Sequence, residues 1–571
     1  MRTIRTFLQG GIALTLATTA PTVFAATYEV GPNKQYKSLK DVASRLQPGD
    51  VVELEGNATY AGDIRLTRSG TPDKKITIRG IPVSGKRPVL SGGTNTLEIN
   101  ANHYVVENVE ITKGSNRCYF HHGHDITLRA VSIHDCPSHG ILGAVEDSGS
   151  LTVEYSEVYK CGDGDRRHPI YMDTDQRAYP GSVFRLQHSY IHDANGGHNV
   201  KSRAERNEIY YNWIEGALYH ELELIGPDGS DGGKREDSDV VGNVLRKTNN
   251  FWVVRFGGDG TGDTNGRYRF VNNTVILQSG SSGVFRLFDG IESLEAHNNV
   301  FYAPSGSTFR VLEDGSAKWK HGKQIIAGSN NWVLSSARQV PSQWTGTITG
   351  TDPGFMSLAN FDLTPTASSP LVNAGAANPQ GPSGYPFPNP LAAPLFLPPA
   401  HKVEAVGTAK ARPTSGRIDI GAYEFAAPGS DPGPGTGGSG GSGGAPDPGN
   451  DGPDDEPGPG TGGEGGSDDP GTGGAGGNDP GTGGQGGSDD PSPGSGGAGG
   501  DEPGDSDAGG DAGTGGGSEN PGGDDAPPVV GEPGEDEGGV SCQAAPGATA
   551  GAGSALLLAA AALALSRRKR G

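Results

Sequence analysis

Short apolar segments, without helical periodicity, recur along the chain between residues 26 and 425. A three-residue motif with an apolar final residue ends at positions 111, 133, 158, 191, 214, 245, 275, 301 and 333. The intervals of 22 to 33 residues between these ends are those of a solenoid, in which each turn of chain, here called a coil, stacks on the previous one. The pattern therefore predicts an all-β fold of the right-handed parallel β-helix class.

An asparagine column accompanies the motif in the second half of this region. Its members occupy the first motif position and are Asn212, Asn243, Asn273, Asn299 and Asn331. Asparagine tolerates the left-handed backbone conformation that a bend between strands requires, and its amide can bond to the asparagine of the next coil. A β-sandwich is the alternative fold, but its turns come more often and carry no such column.

The two ends of the repeat region predict caps. Residues 38–46 form an amphipathic pattern that fits a short helix covering the open end of the solenoid, where sheet edges and core would otherwise be exposed. This start resembles the amino-terminal region of β-helix polysaccharide lyases. Residues 352–355, 369–375 and 419–424 resemble the closing segment of bacterial surface β-helix proteins. The resemblance spans residues 26–426, which we interpret as one domain with both caps.

Composition separates this region from a long spacer at residues 427–541. Many of the 97 glycines and 42 prolines lie there, together with Asp, Ser, Glu and Thr, in degenerate units such as Asp-Pro-Gly-Thr-Gly-Gly. Such a stretch has almost no apolar side chains to bury, so it is expected to be a disordered stalk. Much of the net charge of −22 comes from this stalk and gives no information about partners.

Both termini carry targeting signals. Arg2 and Arg5 precede a short apolar run that ends in small residues, which predicts a signal peptide over residues 1–25 with cleavage after Ala25. Residues 542–571 contain Cys542, a small-residue stretch, a short hydrophobic helix and an arginine-rich end. They resemble the myxobacterial C-terminal sorting tail, which implies processing near Cys542 and display on the cell surface. An ordinary C-terminal anchor is the alternative and predicts nearly the same location.

Charge and cysteine usage restrict the partners further. There is no Lys/Arg run in residues 26–426 of the kind that binds nucleic acid, and we expect a monomer that meets a membrane only through its tail. Four cysteines are present, with no Cys-x-x-Cys pair. Cys136 and Cys161 end matching segments and are expected to lie one coil apart, which allows a disulfide and leaves Cys118 over.

Candidate chemistry centres on residues 196–207. If Val200 points inward, alternation along the strand turns its neighbours to the outer face. The same reasoning on the adjacent coils gives one outward row of polar residues: Tyr171, Asp173, Asp175, Asn199, Lys201, Arg203, Glu221, Glu223, Arg255 and Arg286. Alternating acids and bases can also simply stabilise stacked strands, so this row has a purely structural interpretation as well.

The sequence Asn199-Val200-Lys201-Ser202 resembles the Asn-x-Lys-Ser signature of the alginate lyase and chondroitinase B family. The resemblance implies β-elimination on an acidic polysaccharide with Lys201 as general base. Arg255, His220 and Tyr219 are then further catalytic candidates, and Asn199, Arg203, Glu221, Glu223 and Arg286 are substrate-binding candidates. Asp173 and Asp175 are the candidate ligands for Ca²⁺, the only cofactor that the sequence suggests.

The chain departs from that family where an arginine is expected after the lysine. Glu223 occupies the comparable stretch, and Arg255 lies one coil further on. Signatures of polygalacturonases, mannuronan epimerases and Arg-x-Pro-x-x-Arg pectate lyases are absent from residues 26–426. Two hypotheses remain open: a lyase, and a non-catalytic surface protein that binds glycan or matrix through the same face.

Overall fold

The computed structural model describes residues 25–226, 235–258, 264–313, 319–391, 393–413 and 416–426. In these ranges the chain forms stacked parallel strands in three sheets, consistent with the right-handed parallel β-helix that the sequence predicts. The predicted stalk and sorting tail, Cys542 included, lie outside the described residues, as does the predicted signal peptide except for Ala25. Those predictions therefore stay predictions.

Each complete coil visits the three sheets in turn. In the described residues sheet 1 consists of β1 (Thr27–Val30), β2 (Val51–Glu55), β5 (Ile76–Ile81), β8 (Tyr104–Glu107), β11 (Ile126–Arg129), β14 (Leu151–Glu154), β17 (Val183–Gln187), β20 (Arg206–Tyr210), β23 (Asp237–Val241), β26 (Arg267–Val271), β29 (Ser293–His297) and β32 (Ile326–Ser329). Over the same ranges sheet 2 consists of β3 (Thr59–Ala61), β6 (Val89–Ser91), β9 (Glu110–Thr112), β12 (Ser132–Cys136), β15 (Glu157–Cys161), β18 (Tyr190–His192), β21 (Trp213–Glu215), β24 (Val244–Lys247), β27 (Thr274–Leu277), β30 (Val300–Tyr302), β33 (Trp332–Leu334) and β34 (Ile348–Gly350). Sheet 3 consists of β4 (Ile64–Leu66), β7 (Asn95–Ile99), β10 (Arg117–His121), β13 (His139–Gly143), β16 (Ile170–Asp173), β19 (Val200–Arg203), β22 (Leu222–Ile225), β25 (Trp252–Gly257), β28 (Gly283–Leu287) and β31 (Arg310–Leu312).

The core is a narrow interior filled by alternate side chains of all three sheets. In sheet 3, Val200, Leu222 and Val254 pair across β19, β22 and β25, and each is fully buried. Stacking equal positions of successive coils in this way keeps apolar side chains in contact along the whole axis. Strand alternation then turns the residues between them to the outer face of the sheet.

The asparagine column is present between sheets 1 and 2. The Oδ1 atom of Asn243 accepts the backbone N–H of Asn212 at 2.8 Å, and Asn273 does the same for Asn243 at 2.9 Å. The left-handed residue is not the column asparagine but its predecessor, for example Asn272, with φ of 52°. The sequence therefore located the bend correctly but placed the left-handed conformation one residue late.

The amino-terminal cap is a single helical turn, α1 (Lys40–Ala43), shorter than the predicted segment. It packs beside β4, the first strand of sheet 3. Leu39, Val42 and Leu46 are buried in the core cluster, as the amphipathic pattern requires. The helix thus covers apolar side chains at one end of the solenoid.

The cysteine prediction is wrong in its pairing. Cys136 and Cys161 do lie in register on β12 and β15, but the disulfide joins Cys136 to Cys118 on β10, and Cys161 is buried as a free thiol. Side chains of register partners in parallel strands project side by side. A partner on another sheet of the same coil can instead face Cys136 across the interior.

The chain after β34 folds back along the solenoid. It includes an antiparallel pair, β35 (Phe355–Ser357) and β36 (Asp362–Pro365), joined through a 3-10 turn at Leu358–Asn360. Further on, Pro386 accepts a hydrogen bond from Arg267 of sheet 1, and His401 contacts Glu215 of sheet 2. The described residues contain no helix with the length and apolar character that a membrane crossing requires.

Candidate functional site

A row of polar side chains crosses five neighbouring strands of sheet 3. In register, from β16 to β28, the row consists of Tyr171, Lys201, Glu223, Arg255 and Arg286, and we call it the charged column. Its members alternate with the core residues of the same strands. This register confirms the predicted order of all five side chains along the axis.

Glu223 is the centre of the charged column. Its Oε1 accepts a hydrogen bond from Arg255 Nη1, and its Oε2 lies 3.6 Å from Lys201 Nζ and 2.9 Å from His198 Nε2. The side chain is fully buried, which alone would raise its pKa. The surrounding positive charges outweigh that effect and hold the pKa of Glu223 well below its usual range.

Aromatic rings pack against the cations of the charged column. The Lys201 amine lies 5.0 Å from the Tyr171 ring centroid, and the Arg255 guanidinium lies 3.6 Å from that of Phe288. Arg286 stands 4.9 Å from the same Phe288 ring. Lys201 and Arg255 keep only 6% and 5% of their surface exposed, so the cations work in a weakly screened environment.

Tyr171 is tied to a second cation of β19. Arg203 Nε donates a hydrogen bond to Tyr171 Oη at 2.9 Å, and Arg203 Nη1 donates to the carbonyl of Gly226 at 3.0 Å. Arg203 is fully buried and pairs in register with Asp173. The buried Arg203 therefore holds the Tyr171 hydroxyl group in place, which corrects the expectation that Arg203 contacts a substrate directly.

Four histidines stack beside the charged column at the start of sheet 3, and we call them the imidazole column: His139, His168, His198 and His220. Their successive ring centroids are 5.8, 5.1 and 5.0 Å apart. The backbone N–H of each later histidine donates to Nδ1 of the previous ring, at 3.2, 3.0 and 3.1 Å. Because Nδ1 accepts in the first three rings, their neutral form carries its proton on Nε2.

Burial keeps the imidazole column neutral. It lowers the pKa of His139 to about 4 and lowers those of His168 and His220 well below the usual value. Nearby cations act in the same direction. The pKa of His198 is lowered as well, mainly by burial, although Glu223 opposes the shift.

Asn199 and Glu221 do not lie on the outer face, so their prediction as substrate-binding residues is corrected. Both are fully buried. Asn199 Nδ2 donates to Glu221 Oε2 at 2.6 Å, and the buried Lys247 amine donates to Glu221 Oε1 at 3.0 Å. Lys247 also donates to the carbonyls of Ala217 and Tyr219. The group is a structural ion pair that fixes the turn before β22.

Tyr219 and His220 are held at the edge of the site by that turn. The Tyr219 ring lies 5.7 Å from His198 and 5.2 Å from Phe251, and His220 packs against the same Phe251 at 4.8 Å. His220 is 1% exposed, so it supports the site instead of lining its surface. Tyr219 is partly exposed and stays next to the charged column.

The donor atoms of His198, His220 and Glu223 lie within 4.8 Å of one another, which is a spacing that suits a metal ion. The hydrogen bonds oppose that use. His198 Nδ1 accepts the N–H of His220, so its Nε2 carries a proton and has no lone pair for a metal. Lys201 and Arg255 also place two positive charges against Glu223. The cluster therefore fits a buried ion-pair network better than a metal centre.

The predicted calcium ligands have other tasks. Asp173 Oδ1 accepts the N–H of Thr174 at 2.7 Å, and Asp175 accepts the backbone N–H groups of Asp147, Arg177 and Ala178. Calcium is bound by six to eight oxygen ligands that are free to face it. Asp173 Oδ1 and both Asp175 oxygens are thus engaged by backbone amides, and calcium binding by this pair stays a prediction.

The imidazole column is the main feature that the sequence interpretation missed, since only His220 was selected from it. Its signal was available in the sequence separations of 29, 30 and 22 residues. These equal the register offsets of β13, β16, β19 and β22. Histidines repeating at the coil interval indicate a stacked column, just as the asparagines do.

No known protein family and no curated protein matches the sequence. Solved structures resemble its fold. Pectate lyase Pel9A shares 12% identity over 71% of this chain and 97% of its own, with a TM-score of 0.43. Alginate lyase AlyGC of family PL6 shares 16% over 62% and 58%, with a TM-score of 0.32, and a mannuronic acid specific family 6 lyase from human gut microbiota shares 15% over 57% and 92%, with a TM-score of 0.29. These likenesses concern the parallel β-helix alone.

Proposed function

We propose that the protein is a polysaccharide lyase that cleaves an acidic polymer by β-elimination at the charged column. The observation that carries this proposal is the register of Lys201, Glu223, Arg255 and Arg286 on one face of sheet 3. Arg255 and Arg286 follow Lys201 and Glu223 on this face and can bind the carboxylates of a polyanion. Aromatic rings beside these cations suit the apolar faces of sugar rings.

The chemistry assigns each side chain a step. Lys201, once its ammonium group has lost its own proton to solvent, takes the proton at C5 next to the uronate carboxylate. Arg255 and Arg286 bind that carboxylate and stabilise the negative charge that develops on it. The C4–O bond then breaks, and a C4=C5 double bond remains in the product. Glu223 orients Lys201 and Arg255 through its two oxygens.

The test is an assay of the full-length protein on alginate, pectate, glucuronan, chondroitin sulfate and dermatan sulfate. The reaction is monitored through the ultraviolet absorbance of the unsaturated uronate. We expect one polymer class to give product, and Lys201→Ala to lower kcat by about 10²–10⁴-fold. Lys40→Ala, which removes an exposed lysine on α1, is the matched control and should leave the rate unchanged. Equal loss in both variants, or product formation by Lys201→Ala, would contradict the assignment.

A second function is favoured by one specific observation. Glu223 occupies the coil after Lys201, where the lyase resemblance implies an arginine, and it neutralises part of the positive charge. A site of this kind also suits a glycan- or matrix-binding protein without catalysis. Retention on one polymer in affinity electrophoresis, with no unsaturated product from any polymer, would establish binding alone.

Calcium dependence is tested separately with a chelator. Since Asp173 Oδ1 and both Asp175 oxygens accept backbone N–H groups, we expect the rate to be unchanged by EDTA and by added Ca²⁺. A chelator-sensitive rate that Ca²⁺ restores would contradict this expectation and support the predicted calcium site.

We further propose that the protein is exported and displayed at the cell surface as a monomer, with a membrane contact limited to its tail. The apolar run before Ala25 and the arginine-rich end after Cys542 support this location. Protease treatment of intact cells should remove the β-helix, and replacement of Cys542 by alanine should change its anchoring. Full protection from the protease would contradict surface display.

A further inference from the structure

Tyr171 is the remaining titratable side chain of the charged column, and the elimination described above gives it no role. It precedes Lys201 by one coil and lies in register with it. Strands of neighbouring coils are about 4.8 Å apart, so the two side chains project from the same face at that spacing. A β-elimination needs a proton donor for the leaving oxygen as well as a base.

We propose that Tyr171 is the general acid that protonates the leaving O4 while Lys201 removes the C5 proton. This inference rests on the proposed function and completes it. Arg203 Nε donates into Tyr171 Oη at 2.9 Å, so the phenol accepts there and can direct its own O–H to a substrate. Arg203 is fully buried and anchored on the Gly226 carbonyl, which keeps its charge in place.

The surroundings favour release of the phenolic proton. As the proton leaves, negative charge develops on Oη next to the Arg203 guanidinium, and the Lys201 amine lies over the face of the same ring. His168 packs its ring edge-to-face at 5.5 Å on Tyr171, and His139 lies at 6.1 Å, so the phenol ring is held firmly. A fixed cation at the site of developing charge is an effective form of transition-state stabilisation.

Lys201 and Tyr171 together account for both protons that move in the reaction. The C5 proton goes to the Lys201 amine, the C5–H electron pair forms the C4=C5 double bond, and the C4–O pair stays with O4. O4 takes the proton of Tyr171. The resulting ammonium and phenolate then return to the starting state by transfer of one proton from Lys201 to Tyr171, so no external acid or base is consumed.

A base and an acid on one face also restrict the sugar. They reach the same side of the ring, so they serve an elimination in which the C5 hydrogen and the C4 oxygen are cis. Glucuronate and mannuronate have that configuration, whereas galacturonate and guluronate have these groups trans. The geometry therefore points to glucuronate- or mannuronate-containing polymers as the substrate class.

The experiment compares Tyr171→Phe with wild type in the full-length protein. On the best polymer we expect kcat to fall about 10²–10⁴-fold, the contribution of a general acid, with KM changed less than about threefold. On a synthetic uronate with nitrophenolate at C4, which leaves without protonation, the loss should be under about tenfold. Lys201→Ala should lose both activities, and Tyr159→Phe on sheet 2 is the matched control with both retained.

Each result of this experiment bears on the role of Tyr171, on the substrate class or on the proposed function. A Tyr171→Phe variant with full activity on the polymer overturns the assignment, as does an equal loss on both substrates. Activity of the wild type only on galacturonate or guluronate polymers overturns the cis selection. If Tyr171→Phe does not fold, fluorotyrosine in place of Tyr171 should shift the alkaline limb of the kcat profile to lower pH, and an unmoved limb contradicts the role. A wild type without unsaturated product on any polymer instead refutes the proposed function itself.

Discussion

At the scale of single residues, the site is governed by how its charges compensate one another without water. Glu223 is fully buried between Lys201 and Arg255, and it is the one carboxylate of the charged column. A buried cation without a counter-ion is costly, whereas a compensated one is tolerated. Glu223 therefore stabilises the fold and also holds the two cations on which the proposed chemistry depends.

Glu223→Gln should destabilise the protein markedly. The change removes the carboxylate that pairs with both Lys201 and Arg255, and loss of one partner of a buried pair costs about 3–5 kcal/mol. The free energy of unfolding, from denaturant titration, measures this. The control Glu29→Gln, at the exposed Lys34–Glu29 pair, should change it by less than about 1 kcal/mol. Similar values for the two variants would refute the account of the column.

The imidazole column should make the free energy of unfolding depend on pH. Burial lowers the pKa of His139 from 6.5 to about 4, so between these values the unfolded chain binds the proton and the folded chain does not. The free energy of unfolding thus falls as the pH drops through this window, by up to about 1.4 kcal/mol per pH unit for this histidine.

The measurement is the unfolding free energy between pH 7 and pH 4.5 for wild type and His139→Asn, which keeps an acceptor for the His168 N–H. The variant should show a shallower pH dependence. His321→Asn, at an exposed histidine, should follow the wild type. Identical slopes for His139→Asn and wild type would mean that the ring is protonated in the folded protein.

At the scale of elements, stacking of equal positions explains both what the sequence predicts and what it hides. The repeat interval was sufficient to place Lys201, Glu223 and Arg255 in one row, since register follows from strand alternation and coil length. How deeply each side chain is buried was not predictable from the repeat interval. Asn199 and Glu221 are buried because Lys247, on another sheet, closes an ion pair over them, and that contact has no local sequence signal.

Asn243→Ala tests the asparagine column. The Asn243 side chain accepts from the Asn212 N–H and donates to the carbonyl of Ile209, all inside the fold. Unsatisfied buried groups cost about 1–3 kcal/mol each, so thermal unfolding should occur several degrees lower. Asn378→Ala, at an exposed position, should leave the midpoint unchanged. No difference between the two would contradict a stabilising column.

The disulfide assignment predicts one specific peptide pattern. Non-reducing mass mapping should find Cys118 linked to Cys136, while Cys161 reacts with a thiol reagent only after unfolding. Burial raises the pKa of Cys161 to about 12, which keeps it protonated and unreactive in the folded protein. A Cys136–Cys161 peptide would instead support the pairing that the sequence suggested.

At the scale of the whole molecule, the returning segment and the candidate site lie on different sheets of the described chain. The segment after β36 contacts sheets 1 and 2, through Arg267, Tyr211 and Glu215, while the charged column lies on sheet 3. The class of fold followed from the periodicity, and the amino-terminal cap followed from the amphipathic pattern at the start of the region. The path of the returning segment did not, because its proline-rich sequence carries no period to match with a strand.

The most direct test of the central claim is digestion of the best polymer in oxygen-18-labelled water, with the products weighed by mass spectrometry. Elimination at the charged column forms a C4=C5 double bond and takes no oxygen from solvent. We therefore expect unsaturated products without the label, formed by wild type and Lys40→Ala but not by Lys201→Ala. Labelled saturated products would show that the polymer is hydrolysed. Unchanged polymer would show that the protein binds without cleaving. Either result would contradict elimination at the charged column.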